Sequence, residues 1–337
     1  MLVFFGGGAL LAVIILLMHW NYPLIYNHKM QQSWTVGVAV MDNANRSIEE
    51  CIVSTIDAIY IKEKTGFDQI ADPWIVKRGG LYYLFVEVLD QYHGELAVFI
   101  SHNLKEWTFK GQVLDEAFHL SYPQIITFDT KTYLLPETAK AHQVMLYEAV
   151  DFPLKWKKVA TLLEGCYLDS TYFEFDGIHY LINIDGDYRS HLFYSHDLVD
   201  GKWQEHPKSP LGIGNRLRPA GKPRVQNNQV IVPVQCRRKG YGTAVYSIIL
   251  KELTTSTLKF NKGPVLLKSN HSVFFNEGMH HLVFWDEGDR QVVAFDGRGG
   301  TNRYYKMVNI KRSVKDNFYD LLTFLHLPYK IGFLDKW

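Results

Sequence analysis

Asp72 and Asp169 are the residues from which chemistry can first be read, because they recur at matched places in a repeat. Asp72-Pro73-Trp74-Ile75-Val76 leads to Tyr83-Leu84-Phe85-Val86-Glu87. Fifty residues later Tyr122-Pro123-Gln124-Ile125-Ile126 leads to Tyr133-Leu134-Leu135-Pro136-Glu137. Asp169-Ser170-Thr171 leading to Tyr180-Leu181-Ile182 is a third copy, and Arg218-Pro219-Ala220-Gly221 leading to Val230-Ile231-Val232 a weaker fourth. Two acids at equivalent positions of alternate repeats suit ligand binding or catalysis, since perturbed carboxylates cluster at such sites. The plain alternative for either one is a turn or strand-end cap.

Tyr122 takes the equivalent place in the second repeat, with His119 three residues before it, and both are candidates to bind substrate. Glu87 and Glu137 close the second run of their repeats. They fit two jobs equally, satisfying backbone groups at a channel mouth or binding sugar hydroxyls. At the fourth opening the charge changes sign, with Arg216, Arg218, Lys222 and Arg224 close together. Arg218 and Lys222 facing an axis would hold phosphate or carboxylate; solvated loop charge is the alternative. No metal and no cofactor is expected. None of the 14 histidines has metal-ligand spacing, and on a strand the adjacent His280 and His281 would point to opposite faces. Asp185-Gly186-Asp187 resembles an Asp-x-Asp metal clamp but follows a strand, as turn triplets do. A phosphate loop and a serine elbow are both lacking.

The elements that must position these groups follow from the period. About fifty residues per repeat, rich in short strands, is the pattern of an all-β propeller, which brings the first residue of every repeat to one axis. Turns at Arg78-Gly79-Gly80, Phe128-Asp129-Thr130 and Asp176-Gly177 separate the first two strands. Trp107, Trp156 and Trp203 mark outer-edge strands and read as packing residues. The last repeat, Phe274 to Gly297, lacks outer strands, and Trp34 to Val40 is a strand without a repeat. Joining the two closes a ring of five blades over 34–300.

Composition is that of a globular chain: 337 residues, 47% hydrophobic and 21% charged. The net charge of +1, without a basic run, argues against nucleic-acid binding. Three distant cysteines allow at most one bridge. Residues 2–18 carry no charge, and Trp20 and Tyr22 follow, so 1–20 reads as a transmembrane anchor. A cleaved signal peptide competes, but the basic start and small-x-small cleavage site are missing. Residues 21–33 read as a stalk and 301–337 as a partly helical tail, with Leu321-Leu322-Thr323-Phe324-Leu325 its apolar run. Sequons at Asn45-Arg46-Ser47 and Asn270-His271-Ser272 agree with a luminal or extracytoplasmic propeller.

Several runs together identify a family. Phe118-His119-Leu120-Ser121-Tyr122-Pro123, Leu135-Pro136-Glu137-Thr138, Asp151-Phe152-Pro153-Leu154-Lys155-Trp156, Gly201-Lys202-Trp203-Gln204-Glu205-His206-Pro207, Arg218-Pro219-Ala220-Gly221 and Tyr241-Gly242 resemble the N-terminal propeller domain of the glucosamine inositolphosphorylceramide transferases. The resemblance covers about Trp34 to Gly297. It implies a five-bladed, furanosidase-like propeller, a membrane anchor and work on glycolipids or surface glycans.

Two departures shape the expectation. The plant enzymes of that family carry a separate glycosyltransferase domain after the propeller, and this sequence ends at Trp337 without one. Furanosidase-type propellers use an Asp base in the first blade, an assisting Asp in the third and a Glu acid in the fourth. Asp72 and Asp169 match the first two, whereas the fourth opening has Arg218 and no acid, which hydrolysis ordinarily needs.

The expectation is a membrane-anchored, carbohydrate-active propeller in glycan or glycolipid assembly, a glycosyltransferase or its substrate-holding partner. Its partners would be a sugar, a phosphorylated sugar or a glycolipid. Asp72 and Asp169 would act on the acceptor hydroxyl, with Arg218 and Lys222 on a phosphate-bearing donor. The rivals are a furanosidase-like hydrolase taking its acid from Glu137 or Glu277, and a non-catalytic glycan-binding module.

Overall fold

The computed structural model describes residues 2–21, 25–30, 33–42, 46–89, 93–213, 217–236, 241–300 and 302–307, with a few positions beyond. Arg216, Arg237, Arg238, Asn45 and most of the 301–337 tail, including Leu322 to Leu325, lie outside the described residues.

Five antiparallel sheets form the five blades of an all-β propeller. Blade 1 is Gln69–Arg78, Leu81–Leu89, Gly94–Ser101 and Thr108–Leu114. Blade 2 is Ser121–Phe128, Lys131–Glu137, Gln143–Asp151 and Lys155–Glu164. Blade 3 has Tyr167–Phe175, Ile178–Asp185 and Arg189–Ser195, the last flanked by the short strands Gln204–Glu205 and Gly212–Ile213. Blade 4 is Arg224–Gln226, Gln229–Cys236, Ala244–Leu253 and Leu258–Lys268. Blade 5 joins the two ends of the propeller. Leu282–Glu287 and Arg290–Gly299 are completed by Ser33–Met41 and Ile52–Ile56, so the strand at Trp34 does close the ring.

The inner hairpins obey local chemistry. A two-residue turn whose twist matches its strands needs positive φ at both central residues. Gly79 and Gly80, Asp129 and Thr130, Asp176 and Gly177, and Asn227 and Asn228 all have it. Between blades the packing is aromatic and aliphatic. Trp156 of blade 2 lies edge-on to Phe85 of blade 1, with ring centroids 6.1 Å apart. Trp107 is buried, its indole N–H donating to Ser54. Both tryptophans are packing residues, as their edge positions require.

Before blade 1 the chain forms a short helix, Ala58–Thr65, where the sequence shows only an irregular stretch. Asp57 caps it by accepting the N–H groups of Ile59 and Tyr60, and Gly66 ends it in a left-handed conformation. The three cysteines are unbridged. Residues 2–21 form an N-terminal helix (Leu2–Asn21). Many of its side chains lie outside the described residues, and among the described residues no helix is long and apolar enough to cross a membrane. In the stalk, Ile25–Met30 pairs with Asn302–Met307 of the tail as a two-stranded ribbon.

Candidate functional site

At the inner start of blades 1, 2 and 3, Asp72, Tyr122 and Asp169 share one unusual backbone. Their φ angles are 50°, 51° and 48°. In each blade the ladder slips register there, between Ala71 and Trp74, Ser121 and Gln124, and Leu168 and Thr171. A bulge of this kind re-aims a side chain. A left-handed conformation costs an ordinary residue about 1–2 kcal/mol. Part of that is offset because each of the three N–H groups reaches a buried carboxylate. Asp72 N donates to Asp296 Oδ2 at 2.9 Å, Tyr122 N to Asp72 Oδ2 at 3.3 Å, and Asp169 N to Glu137 Oε2 at 3.1 Å.

A second polar ring comes from the second strand of every blade. Glu87, Glu137, Asn183, Gln235 and Asp296 stand near the ends of those strands, all buried. Sequence reading found the two glutamates because they match in type. It missed the other three because an amide or a lone Asp before glycine carries no comparable signal.

Arg218 and Asp169 form the strongest pair. The guanidinium donates from Nε to Asp169 Oδ2 at 2.5 Å and from Nη2 to Oδ1 at 2.9 Å, and lies 3.8 Å from Glu137. Gln235 adds a hydrogen bond to Asp169 at 3.1 Å. Burial opposes ionisation of Asp169, but the Arg218 charge and its hydrogen bonds prevail and hold the carboxyl below its usual value. Asp72 has no such cation in contact. Burial, then the charges of Glu87, Asp296 and Asp169, push it well above the carboxylate range. Glu137 is also pushed well up, by burial and by Asp169, with Arg218 opposing. The cup thus holds an ionised carboxylate beside two acids that favour their protons.

His119 Nδ1 accepts the Gly94 N–H at 3.0 Å, which leaves its Nε2–H for Glu87, 3.3 Å away. Gly94 is required, since a Cβ there would lie 2.4 Å from the imidazole. Tyr122 forms the floor of the cup. Its hydroxyl shares a hydrogen bond with Thr171 at 2.8 Å and accepts the Gly221 N–H at 2.7 Å. Its ring packs edge-on against Trp74 and His281. Tyr122 therefore touches all four other blades, and the hub is a polar cup over an aromatic plug.

Blade 5 adds residues that sequence reading missed. His280 Nε2 and His281 Nδ1 both lie 3.5 Å from Asp72 Oδ1. The expectation of opposite faces fails because the two histidines precede the strand Leu282–Glu287 and are not in its pleat. Burial lowers the His281 pKa to about 4. Trp34, brought by the strand from the other end of the chain, stacks on His280 with centroids 4.2 Å apart, and Tyr241 lies edge-on to both.

Asp72, His280 and Asp296 each place a potential metal-ligand atom within 4.8 Å of the others, a grouping their sequence spacing does not suggest. Asp296, however, already accepts the N–H groups of Asp72, His280 and His281 and the His280 ring nitrogen. Its oxygens are committed to holding blade 5 against blade 1.

Lys222 does not join Arg218. Its ammonium lies 5.5 Å from the Trp285 ring centroid, and burial lowers its pKa. The expected two-cation anion site is therefore not assembled: Arg218 is engaged by Asp169, and the contacts of Lys222 are with blade 5.

Comparison with known proteins gives a consistent picture. Residues 28–283 match the family profile described as glucosamine inositolphosphorylceramide transferase 1, N-terminal. The chain is 27% identical over 231 residues to glucosamine inositolphosphorylceramide transferase 1 of Oryza sativa subsp. japonica, covering 63% of this chain and 31% of that protein. It is 31% identical over 157 residues to that of Arabidopsis thaliana, covering 44% and 20%. The chain thus spans about a third or less of the length of these relatives. Among solved structures, the Bacillus subtilis arabinanase aligns with a TM-score of 0.51 at 15% identity, covering 67% of this chain and 94% of that one. An α-L-arabinofuranosidase from Clostridium thermocellum aligns with 0.52 at 15% identity, covering 66% and 80%. At such identity the likeness is one of fold.

Proposed function

The chain belongs to the glucosamine inositolphosphorylceramide transferase 1 N-terminal family, and from that premise we propose that its hub holds the sugar portion of a glycolipid or glycan during assembly. It acts as a glycosyltransferase or as the substrate-holding part of one. The observation that carries this is the cup itself, in which Arg218 pairs with Asp169 beside Glu137, Asp72 and Glu87 are buried with them, and Asp169 is lowered while Asp72 and Glu137 are raised. Protonated acids donate to sugar hydroxyls and ionised ones accept from them, so a mixed set suits a polyhydroxylated ligand. Asp72 is the group that orients an acceptor hydroxyl. Arg218 acts through Asp169, fixing its charge and its direction. The names of the relatives favour an inositol-phosphate headgroup as the ligand.

N-terminal anchoring belongs to the same reading. Twenty helical residues rise about 30 Å, the thickness of a bilayer core. Leu2 to Met18 carry no charge. The propeller then stands on the luminal or extracytoplasmic side. Resistance to carbonate extraction tests the anchor, and glycan addition at Asn270 tests the side.

Titration of soluble inositol-phosphate glycans by calorimetry tests the cup. Asp72→Ala and Glu137→Ala should each weaken binding about tenfold or more, the loss of one or two hydrogen bonds to charged or buried partners. Unchanged affinity in both variants rejects the reading.

One observation favours a second reading, a furanosidase-like hydrolase. Glu137 is buried and pushed well above the carboxylate range, the state a general acid needs. Release of reducing sugar from arabinan, lost in Glu137→Gln, would support it over the first.

A further inference from the structure

The segments that flank the two middle strands of blade 5 in sequence pair with each other as a separate two-stranded ribbon. Ser33–Met41 pairs with Arg290–Gly299 from Met41↔Gln291 up to Ser33↔Gly299, and Ile25–Met30 pairs with Asn302–Met307 from Met30↔Asn302 up to Ile25↔Met307. The two residue numbers of every pair in both ladders add to the same total, so the ribbon keeps the register of the blade.

The ribbon leaves from the end of the blade that touches the cup. There Trp34 stands opposite Arg298, Trp34 stacks on His280, and Arg298 Nη2 donates to the Tyr241 carbonyl at 2.7 Å. Two residues from Arg298, Asp296 accepts the N–H of Asp72. The ribbon and the mouth of the cup therefore lie on the same side of the disc. Six residues per strand span about 20 Å. At the far end Ile25 follows the last residue of the N-terminal helix, Asn21, by four positions.

Composition matches that position. The two ribbon strands, IYNHKM and NRYYKM, hold Lys29, Arg303 and Lys306, three tyrosines, and no Asp or Glu. Tyrosines collect at the headgroup level of either membrane face, and basic side chains without competing acids can meet lipid phosphates there. A paired ribbon also fixes direction, which a single-stranded stalk of the same length does not.

We propose that the cup side of the propeller faces the lipid headgroups, with the ribbon setting the distance. The cup then receives the headgroup of a lipid whose tails stay in the bilayer. The proposal rests on the anchoring reading of the N-terminal helix. It adds an orientation and a restriction: a ligand fixed in the same membrane is favoured over one arriving from the aqueous side.

The natural cysteines supply the test. Cys166 is exposed while Cys51 and Cys236 are buried, so one label goes to one place. Cys166 lies on the cup side, three residues before Asp169. Glu106 lies on the opposite side, beyond the strand Gly94–Ser101, which starts beside His119. The full chain is reconstituted in phosphatidylcholine–phosphatidylserine vesicles bearing acceptor dye on the headgroups. Energy transfer from labelled Cys166 is compared with transfer from Cys166→Ser/Glu106→Cys.

A strand of eight residues separates the two rims by about 25 Å, so transfer from Cys166 should be roughly twofold greater or more. Equal transfer, greater transfer from position 106, or none from either label overturns the proposal. Replacing residues 302–307 with a Gly-Ser sequence should abolish the difference, and a difference that survives removes the ribbon as its cause. Binding of soluble headgroups to the cup is insensitive to orientation, so failure here and failure of the sugar-binding reading are separate results.

Discussion

The Asp296 carboxylate in the last blade accepts the backbone N–H of Asp72 in the first at 2.9 Å. Its second oxygen accepts the N–H groups of His280 and His281 and the His280 ring nitrogen. The ring is therefore closed twice, once through the sheet of blade 5 and once by a carboxylate at the axis. That carboxylate stays ionised despite burial, because His280 and these N–H groups lower its pKa.

Asp296→Asn tests the axial closure. An amide presents one carbonyl oxygen and turns an NH₂ toward donors, so at least one buried N–H loses its acceptor. The expected loss is about 2–4 kcal/mol. In a chain of this size that corresponds to a melting temperature lower by roughly 3–6 °C. An unchanged melting temperature would show that the carboxylate is dispensable.

The dependence of stability on pH follows from the directions of the shifts. Asp72 and Glu137 have raised values, so the folded state binds more protons than the unfolded one and stability falls as pH rises above the unfolded value of about 4. His281, lowered to about 4, acts oppositely between there and its unfolded value near 6.5. Asp169 and Asp296, with lowered values, contribute stability that is lost only in stronger acid. His191, which burial would lower but Asp185 and Glu205 raise above its usual value, adds to the decline above about pH 6.5. Compared with Asp72→Asn, an isostere of the protonated acid, wild-type thermal melts should therefore show an added decline that begins above about pH 4. A parallel decline in the variant would mean that Asp72 is not its source.

Removing Arg218 strands Asp169 as a buried, unpaired charge. Arg218→Met alone is expected to destabilise by about 3–5 kcal/mol. Combining it with Asp169→Asn should recover much of that loss, because the charge to be compensated is gone. Urea denaturation of the two single variants and the double variant measures the coupling. Additive losses would contradict the pairing.

Gly221, at the opening of blade 4, packs against Leu282 of blade 5. Its φ is 129°, and an added Cβ would lie 1.9 Å from the Leu282 carbonyl oxygen. The adjoining Leu282 N–H donates to the Ala220 carbonyl at 2.8 Å. Gly221→Ala must push the blades apart, and a loss of more than about 3 kcal/mol is expected from strain and the displaced contacts. Near-native stability on a denaturation curve would show that the seam can open without harm.

How much of this was legible in the sequence depended on repetition. Asp72, Tyr122 and Asp169 stood out because their strands repeat, and the structure gives all three the same left-handed backbone. The closing strand at Trp34 was legible as a strand lacking a blade. His280, His281 and Asp296 were not, because the opening of blade 5 shares no motif with the others and Asp296 is a lone acid at a strand end with no counterpart to match it. The pairing of Arg218 with Asp169 was hidden for another reason. Each was assigned to its own repeat, and nothing in a linear pattern couples an acid at one opening to the base at the next. The stacking of Trp34 on His280 joins distant parts of the chain and has no local signature.

Because the fifth blade is stitched from both ends of the propeller, the chain cannot complete it during early synthesis. Ser33–Met41 leaves the ribosome about 250 residues before its partner Arg290–Gly299. At 5–20 residues per second that interval is roughly 13–50 seconds. Throughout it an apolar strand waits with an unoccupied edge, the situation in which neighbouring nascent chains cross-pair. A helix immediately upstream that has already entered a bilayer would keep that waiting strand apart from its siblings on the same messenger.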